Sequence, residues 1–187
     1  MNVYKTLPVP ESKNYILREV RERDADDLLK VYSDEKAVPH FNGDNCHGDD
    51  FHYTAMERMK QAISFWLFSY ENGYFVRWAV VEKSSGKAVG TIELFHRDSD
   101  KDYFDNCGLL RLDLISDCER VEVIEEIVSL LKDSAFDWFY CDKIATKVNP
   151  FADERKTAVE ALGFKLCEEP LVGDGGEKYF DYYVLKK

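Results

Sequence analysis

The chain predicts an α/β fold, a mixed sheet of about six or seven strands flanked by about four helices. Apolar residues switch between a period of two and a period near 3.6 along its length. The resulting elements run strand, two helices, three strands, helix, strand, helix, two strands. No linker, internal repeat or low-complexity tract divides the 187 residues, so one domain over 1–187 is expected, long enough to bury a real core. The switch is clearest between Cys107 and Phe139. Leu110, Leu112 and Leu114 alternate with Arg111 and Asp113, the pattern of a strand with one apolar face. Ile124, Val128, Leu131, Ala135 and Trp138 then recur at three-four spacing from Val121, one stripe of a helix, with Ser116 and Asp117 as candidate N-caps.

The other elements follow in order. Residues 1–13 form an N-terminal arm in which Pro8 and Pro10 block regular structure. Tyr15 to Val20 reads as a strand, and Asp24 caps a helix carrying Ala25, Leu28, Leu29 and Tyr32. Ser33 to Asp50 is a polar loop. Asp49 or Asp50 caps a longer helix from about Phe51 to Tyr70, whose stripe is Ala55, Met59, Ala62, Ile63, Trp66 and Tyr70, ended by Asn72 and Gly73. Phe75 to Glu82 and Lys87 to Arg97 are strands joined by a turn over residues 83–86. Lys143 to Val148 is a strand, Asp153 caps a short helix ending at Gly163, and Phe164 to Glu168 and Tyr179 to Leu185 close the sheet.

Composition narrows the function. A net charge of −11 is a poor footprint for a nucleic-acid binder, which needs clustered Lys and Arg. An acidic surface favours instead a small-molecule or peptide partner that is cationic. The N-terminus lacks a signal-peptide core, and no apolar run approaches the ~18 residues that span a bilayer. A cytoplasmic protein without membrane contact is expected, and monomer and homodimer are both compatible with it. Five widely spaced cysteines outside any CxxC pattern read as reduced thiols. His40, Cys46, His47 and His52 crowd one loop with Asp44, Asp49 and Asp50, but their spacing matches no zinc pattern, so no metal is expected.

Three segments carry a resemblance. YILREVRERDADDLLKVYSD, WAVVEKSSGKAVGTIELF and KIATKVNPFADERKTAVEALGFKL resemble, in order and spacing, the entry strand and helix, the Gly-x-Ile hairpin and the Asn-loop, helix and Gly-Phe pair of the GNAT acetyltransferases. The branch that acetylates ribosomal-protein N-termini is the most similar. The likeness implies acetyl-CoA as co-substrate and a primary amine of a small molecule, peptide or protein N-terminus as acceptor. It also implies a central strand that splays from its neighbour to admit the thioester. By position it assigns cofactor contacts to Leu112, Leu114, Ile115, Arg120, Val121, Asn149 and Arg155.

The chain departs from the family where coenzyme A should sit. The family's pyrophosphate loop, Gln/Arg-x-x-Gly-x-Gly/Ala, brings bare backbone amides to the phosphates. This chain has SDCERVEVIEE there, with no glycine and with Asp117, Glu119 and Glu122 near the phosphate position. Like charges a few ångströms apart cost about 1 kcal/mol in water and several when partly desolvated. Arg155 is the residue placed to supply a lost phosphate contact. The tyrosine that many family members use as general acid is replaced by Val159. The alternative is therefore a non-catalytic GNAT-like module that has lost coenzyme A binding.

Acetyl transfer to an amine needs a base and a polarised carbonyl. Glu93, on one strand face with Thr91 and Phe95, is the candidate base; its structural alternative is an ion pair with Arg111 or Arg97. His40, Phe41, Trp66 and Arg111 are expected to shape the acceptor cleft.

Overall fold

The computed structural model describes residues 2–187. Its strands are β1 (Tyr15–Glu19), β2 (Val76–Glu82), β3 (Ala88–Arg97), β4 (Cys107–Leu114), β5 (Lys143–Lys147), β6 (Lys165–Leu166), β7 (Leu171–Val172), β8 (Lys178–Tyr179) and β9 (Tyr182–Lys186). Seven of them form one mixed sheet in the order β1-β2-β3-β4-β5-β9-β6, and β7 pairs with β8 in a separate ribbon. The helices are α1 (Ala25–Tyr32), α2 (Met56–Glu71), α3 (Val121–Ser129), α4 (Lys132–Trp138) and α5 (Asp153–Ala161). The α/β mixed sheet is the expected fold.

Period-2 alternation sends the two faces of the sheet to different cores. Val76, Trp78, Ile92, Leu94, Leu110, Leu112 and Leu114 pack against α3, α4 and α5. Ala79, Val81 and Ala88 pack against α1 and α2 on the other face. The N-terminal arm lies along the first core: Val3 is buried and its carbonyl accepts from the Tyr70 hydroxyl, while the Trp78 indole donates to the Pro8 carbonyl at 2.9 Å. Gly90 sits where β3 meets β4 closely. A Cβ there would lie 2.2 Å from the Asp113 carbonyl, so only glycine permits this approach.

Several boundaries differ from the sequence expectation, each for a local reason. The long helix starts at Met56, because Phe51 takes a left-handed φ of 57° that no helix tolerates. Asp49 caps nothing; its carboxylate accepts from the Phe51 amide, the Tyr53 hydroxyl and Arg58. Asp24 holds the N-cap position of α1 as expected, but its carboxylate makes no bond to that helix and receives both Arg18 Nη atoms and the Arg21 amide. The central helix is two helices. The amides of Leu130 and Leu131 bond only three residues back, a tight turn after which Phe136 and Phe139 are buried and Trp138 packs half-buried against the same core. Ser116 and Asp117 lie in a short 3-10 turn and do not cap α3. Asp153 is the first residue of α5, whose N-cap is Ala152. Asp181, at φ 67°, divides the expected last strand into β8 and β9.

Candidate functional site

Strand register builds the first feature. Arg77, Glu93 and Arg111 are direct cross-strand partners on β2, β3 and β4, as are Thr91 and Asp113 one pair further along. Alternation turns all five toward α1 and α2. Arg77 Nε and Nη2 donate to Glu93 at 2.9 and 2.7 Å, and Arg111 Nη1 donates to the other Glu93 oxygen at 3.0 Å. Arg77 Nη1 reaches Asp113 at 2.9 Å, and the Tyr32 hydroxyl donates to the same carboxylate at 2.7 Å. Glu93 is only 2% exposed, so these partners are what make its burial tolerable. Burial opposes charge on Arg77, but Glu93, Tyr32 and Asp113 outweigh it and hold it well above its ordinary value. Burial, reinforced by Asp113, pushes the Tyr32 phenol well above 10, so it stays a donor.

This row floors a cavity of about 500 Å³ walled by Phe51, Tyr53, Phe65, Trp66 and Phe75. Trp66 and Arg111, both expected in the acceptor cleft, line it. Phe41 instead packs against Tyr32 in the core, with ring centroids 5.2 Å apart. His40 lies elsewhere, edge-on to Phe151 with its carbonyl accepting from Arg155. The loop holding Asp44 straps the cavity's edge: Lys147 grips the Asp44 carboxylate at 2.6 and 2.8 Å, and Arg111 Nη2 donates to its carbonyl.

The second feature lies where β4 parts from β5. These parallel strands pair only from Cys107–Lys143 to Leu110–Thr146, leaving Arg111 to Leu114 without a β5 neighbour. The chain's own residues occupy the gap. Arg155, 4% exposed, donates through Nη1 to the Leu112 carbonyl at 2.9 Å and to the His40 carbonyl at 3.1 Å, and is ion-paired with Glu119. Glu154 accepts from the Val121 amide at 2.9 Å, capping α3 from another helix. The preceding amides are also engaged: Ser116 with Asp34, Cys118 with the Ile115 carbonyl, Glu119 with Ser116 and Arg120 with Cys118.

Of the residues expected to bind cofactor, the structure brings Leu112 and Arg155 together. Val121 bonds to Glu154, and Arg120 is exposed beside Glu122. Asn149 donates to the Pro39 carbonyl, Leu114 is buried core, and the Ile115 amide donates to Val89. A pyrophosphate needs free amides or cations at the start of α3. Here the amides from Cys118 to Val121 have protein acceptors, Arg155 and Glu119 neutralise each other, and the exposed Arg120 stands beside Glu122. The arrangement is a poor fit to the phosphates of coenzyme A.

Sequence reasoning missed Arg77 and Glu154; it placed Tyr32 on a helix stripe and Glu119 near the phosphates without their partners Asp113 and Arg155. Arg77 carries a usable signal, a lone charge in the apolar run FVRWAVV, which demands a partner from an adjacent strand.

A strand meander continued by a parallel strand, with a charged row under two helices and a parted fourth strand, is the α/β architecture that the sequence resemblance implied. The Acetyltransferase (GNAT) domain model matches residues 14–165, and the chain belongs to the GNAT family. No curated protein sequence matches it. Solved structures do. They include RimJ of Mycobacterium smegmatis in complex with CoA-disulfide, at 15% identity, TM-score 0.71, covering 92% of this chain and 81% of that one. The ribosomal-protein-S5-alanine acetyltransferase of Vibrio fischeri is 17% identical, with TM-score 0.68 and 96% coverage of each chain. The microcin C7 self-immunity acetyltransferase MccE, in complex with acetyl-CoA and AMP, is 11% identical, with TM-score 0.70 and 94% coverage of each. At these identities the likeness is one of fold. Among the described residues, no helix is long and apolar enough to cross a membrane.

Proposed function

We propose that this chain is a ligand-binding GNAT-fold protein that has given up the coenzyme A seat and keeps the aromatic cavity over β2, β3 and β4. The observation that carries this reading is the self-filled seat: Glu154 on the Val121 amide and the Arg155–Glu119 pair on the Leu112 carbonyl. To admit coenzyme A, the protein would have to break a nearly inaccessible ion pair and uncap a helix. Isothermal titration calorimetry and thermal shift with acetyl-CoA and with coenzyme A test it. No heat and no shift at millimolar ligand is expected. Micromolar binding, about −8 kcal/mol, overturns the reading.

A second reading is an acetyl-CoA-dependent N-acetyltransferase acting on a primary amine, with Glu93 as base. The parting of β4 from β5 after Leu110 favours it. Release of free thiol in the presence of an amine panel would establish it.

A further inference from the structure

The charges at the aromatic cavity balance one another. In a protein of net −11, Arg58, Arg77 and Arg111 line it with Asp49 and Glu93, and Asp113 holds Arg77 at 2.9 Å. Glu93 is closed to a cationic ligand, and Asp49 is already occupied by three donors. Glu93 is 2% exposed and receives Arg77 on one oxygen and Arg111 on the other. Asp49 receives the Tyr53 hydroxyl, Arg58 and the Phe51 amide.

Three of the five aromatic rings at the cavity already carry a guanidinium. A cation is attracted to the face of a ring, and aromatic cages for ammonium groups work in that way. Here the protein's own guanidiniums hold those places. Arg77 lies over Trp66 at 4.5 Å and over Phe51 at 5.7 Å, and Arg58 lies over Tyr53 at 4.5 Å. At those three rings an entering ammonium would meet like charge.

A carboxylate meets the opposite conditions. Arg58 stands at the mouth with its side chain 45% exposed and commits Nη2 to Asp49, while its Nε and Nη1 have no partner among the described residues. Planar guanidinium forks match carboxylates. Phe65, 58% exposed, and Phe75 stand at the same cavity, their ring centroids 6.0 Å apart. The volume of about 500 Å³ lies in the ordinary range for small-molecule sites.

We propose that this cavity binds a small carboxylate with an aromatic body, its ring against Phe65 and Phe75 and its charge on Arg58. The inference rests on the reading that the cavity, rather than the coenzyme A seat, holds the ligand.

The test uses pairs with the same ring and opposite charge: phenylacetate against phenethylamine, and indole-3-acetate against tryptamine, each titrated calorimetrically into the full chain. The acids are expected to bind in the micromolar to submillimolar range and the amines at least tenfold more weakly. Arg58→Gln should weaken the acids about tenfold, and Arg58→Lys should recover part of that loss. Because Arg58 is half exposed, both variants should keep the thermal midpoint near that of the parent; Phe65→Ala should weaken acid binding independently of charge. The proposal is overturned if an amine binds as tightly as its acid, if no acid binds at millimolar concentration, or if Arg58→Gln leaves the acid affinity unchanged. Coenzyme A is titrated separately. Binding of both coenzyme A and the acids would sink only the reading of the closed seat, whereas binding of neither would sink only this one.

Discussion

Arg77 and Arg155 are both nearly inaccessible arginines bonded to a glutamate, at 2% and 4% side-chain exposure, and they arise by different routes. Arg77 meets Glu93 because β2 and β3 are neighbours and the two residues stand opposite one another. Arg155 meets Glu119 only after a strand, two helices and a loop bring positions 36 apart together. The first pair continues through Arg111, Asp113 and Tyr32 as a closed network at the floor of a cavity. The second bonds backbone carbonyls in a gap between strands, where the fold would otherwise admit a ligand. Buried charge thus serves as cavity floor in one place and as a protein-made plug in the other.

The comparison can be broken by mutation. Arg77→Met should cause the largest loss, about 3–5 kcal/mol, because it leaves Glu93 and Asp113 buried without their main partner; urea unfolding measures it. Arg155→Ala should cost somewhat less, roughly 3 kcal/mol, since Glu119 keeps some access to water at the rim. Replacing both members, as Arg155→Leu with Glu119→Leu, should restore most of that loss, because an apolar pair of similar size is often as stable as a buried ion pair. If the double variant is no more stable than Arg155→Ala, the plug is more than a charge pair. Glu154→Ala should cost about 1 kcal/mol, the usual worth of a helix cap, and thermal unfolding would detect it.

The smallest effect concerns pH. Burial raises the Asp102 carboxyl, but Arg97 and the amides of Val172 and Phe104 outweigh it and hold it below its ordinary 3.8. A carboxyl depressed on folding stabilises fully above that value, and the contribution is lost as pH falls through the folded value. Asp102→Asn should therefore lower stability at neutral pH and flatten its fall below about pH 4, measured by unfolding across the acid range.

Much of the sheet was legible because strand periodicity is a local signal. Thr91, Glu93 and Phe95, and likewise Arg111 and Asp113, fell on the expected faces. Arg111 as a partner of Glu93 was legible too, since adjacent strands place such residues opposite one another. The start of α2 was not, because Phe51 and Tyr53 continue an apolar pattern while a left-handed residue between Asp50 and His52 prevents the helix. The break between α3 and α4 was hidden for the same reason: a turn that tightens by one bond leaves the apolar spacing almost unchanged. The acidic loop was visible in SDCERVEVIEE, and Arg155 was singled out, but their pairing with each other depends on how α5 packs against α3. No local rule carries that information. Glu154 was invisible as a cap because caps are sought within a few residues of the helix they serve.

Strand β9 occupies the interior of the sheet, pairing Lys143–Lys147 on one side and Lys165–Leu166 on the other. A nascent chain can zip the β2–β3–β4 meander from near neighbours, but the outer edge of β5 stays unpaired until residues 182–186 have emerged. Open strand edges recruit other chains. Until β9 is made, a sheet otherwise assembled therefore offers one raw edge. Chains halted before Tyr182 should associate with one another or with holdase chaperones, whereas chains that include β9 should not.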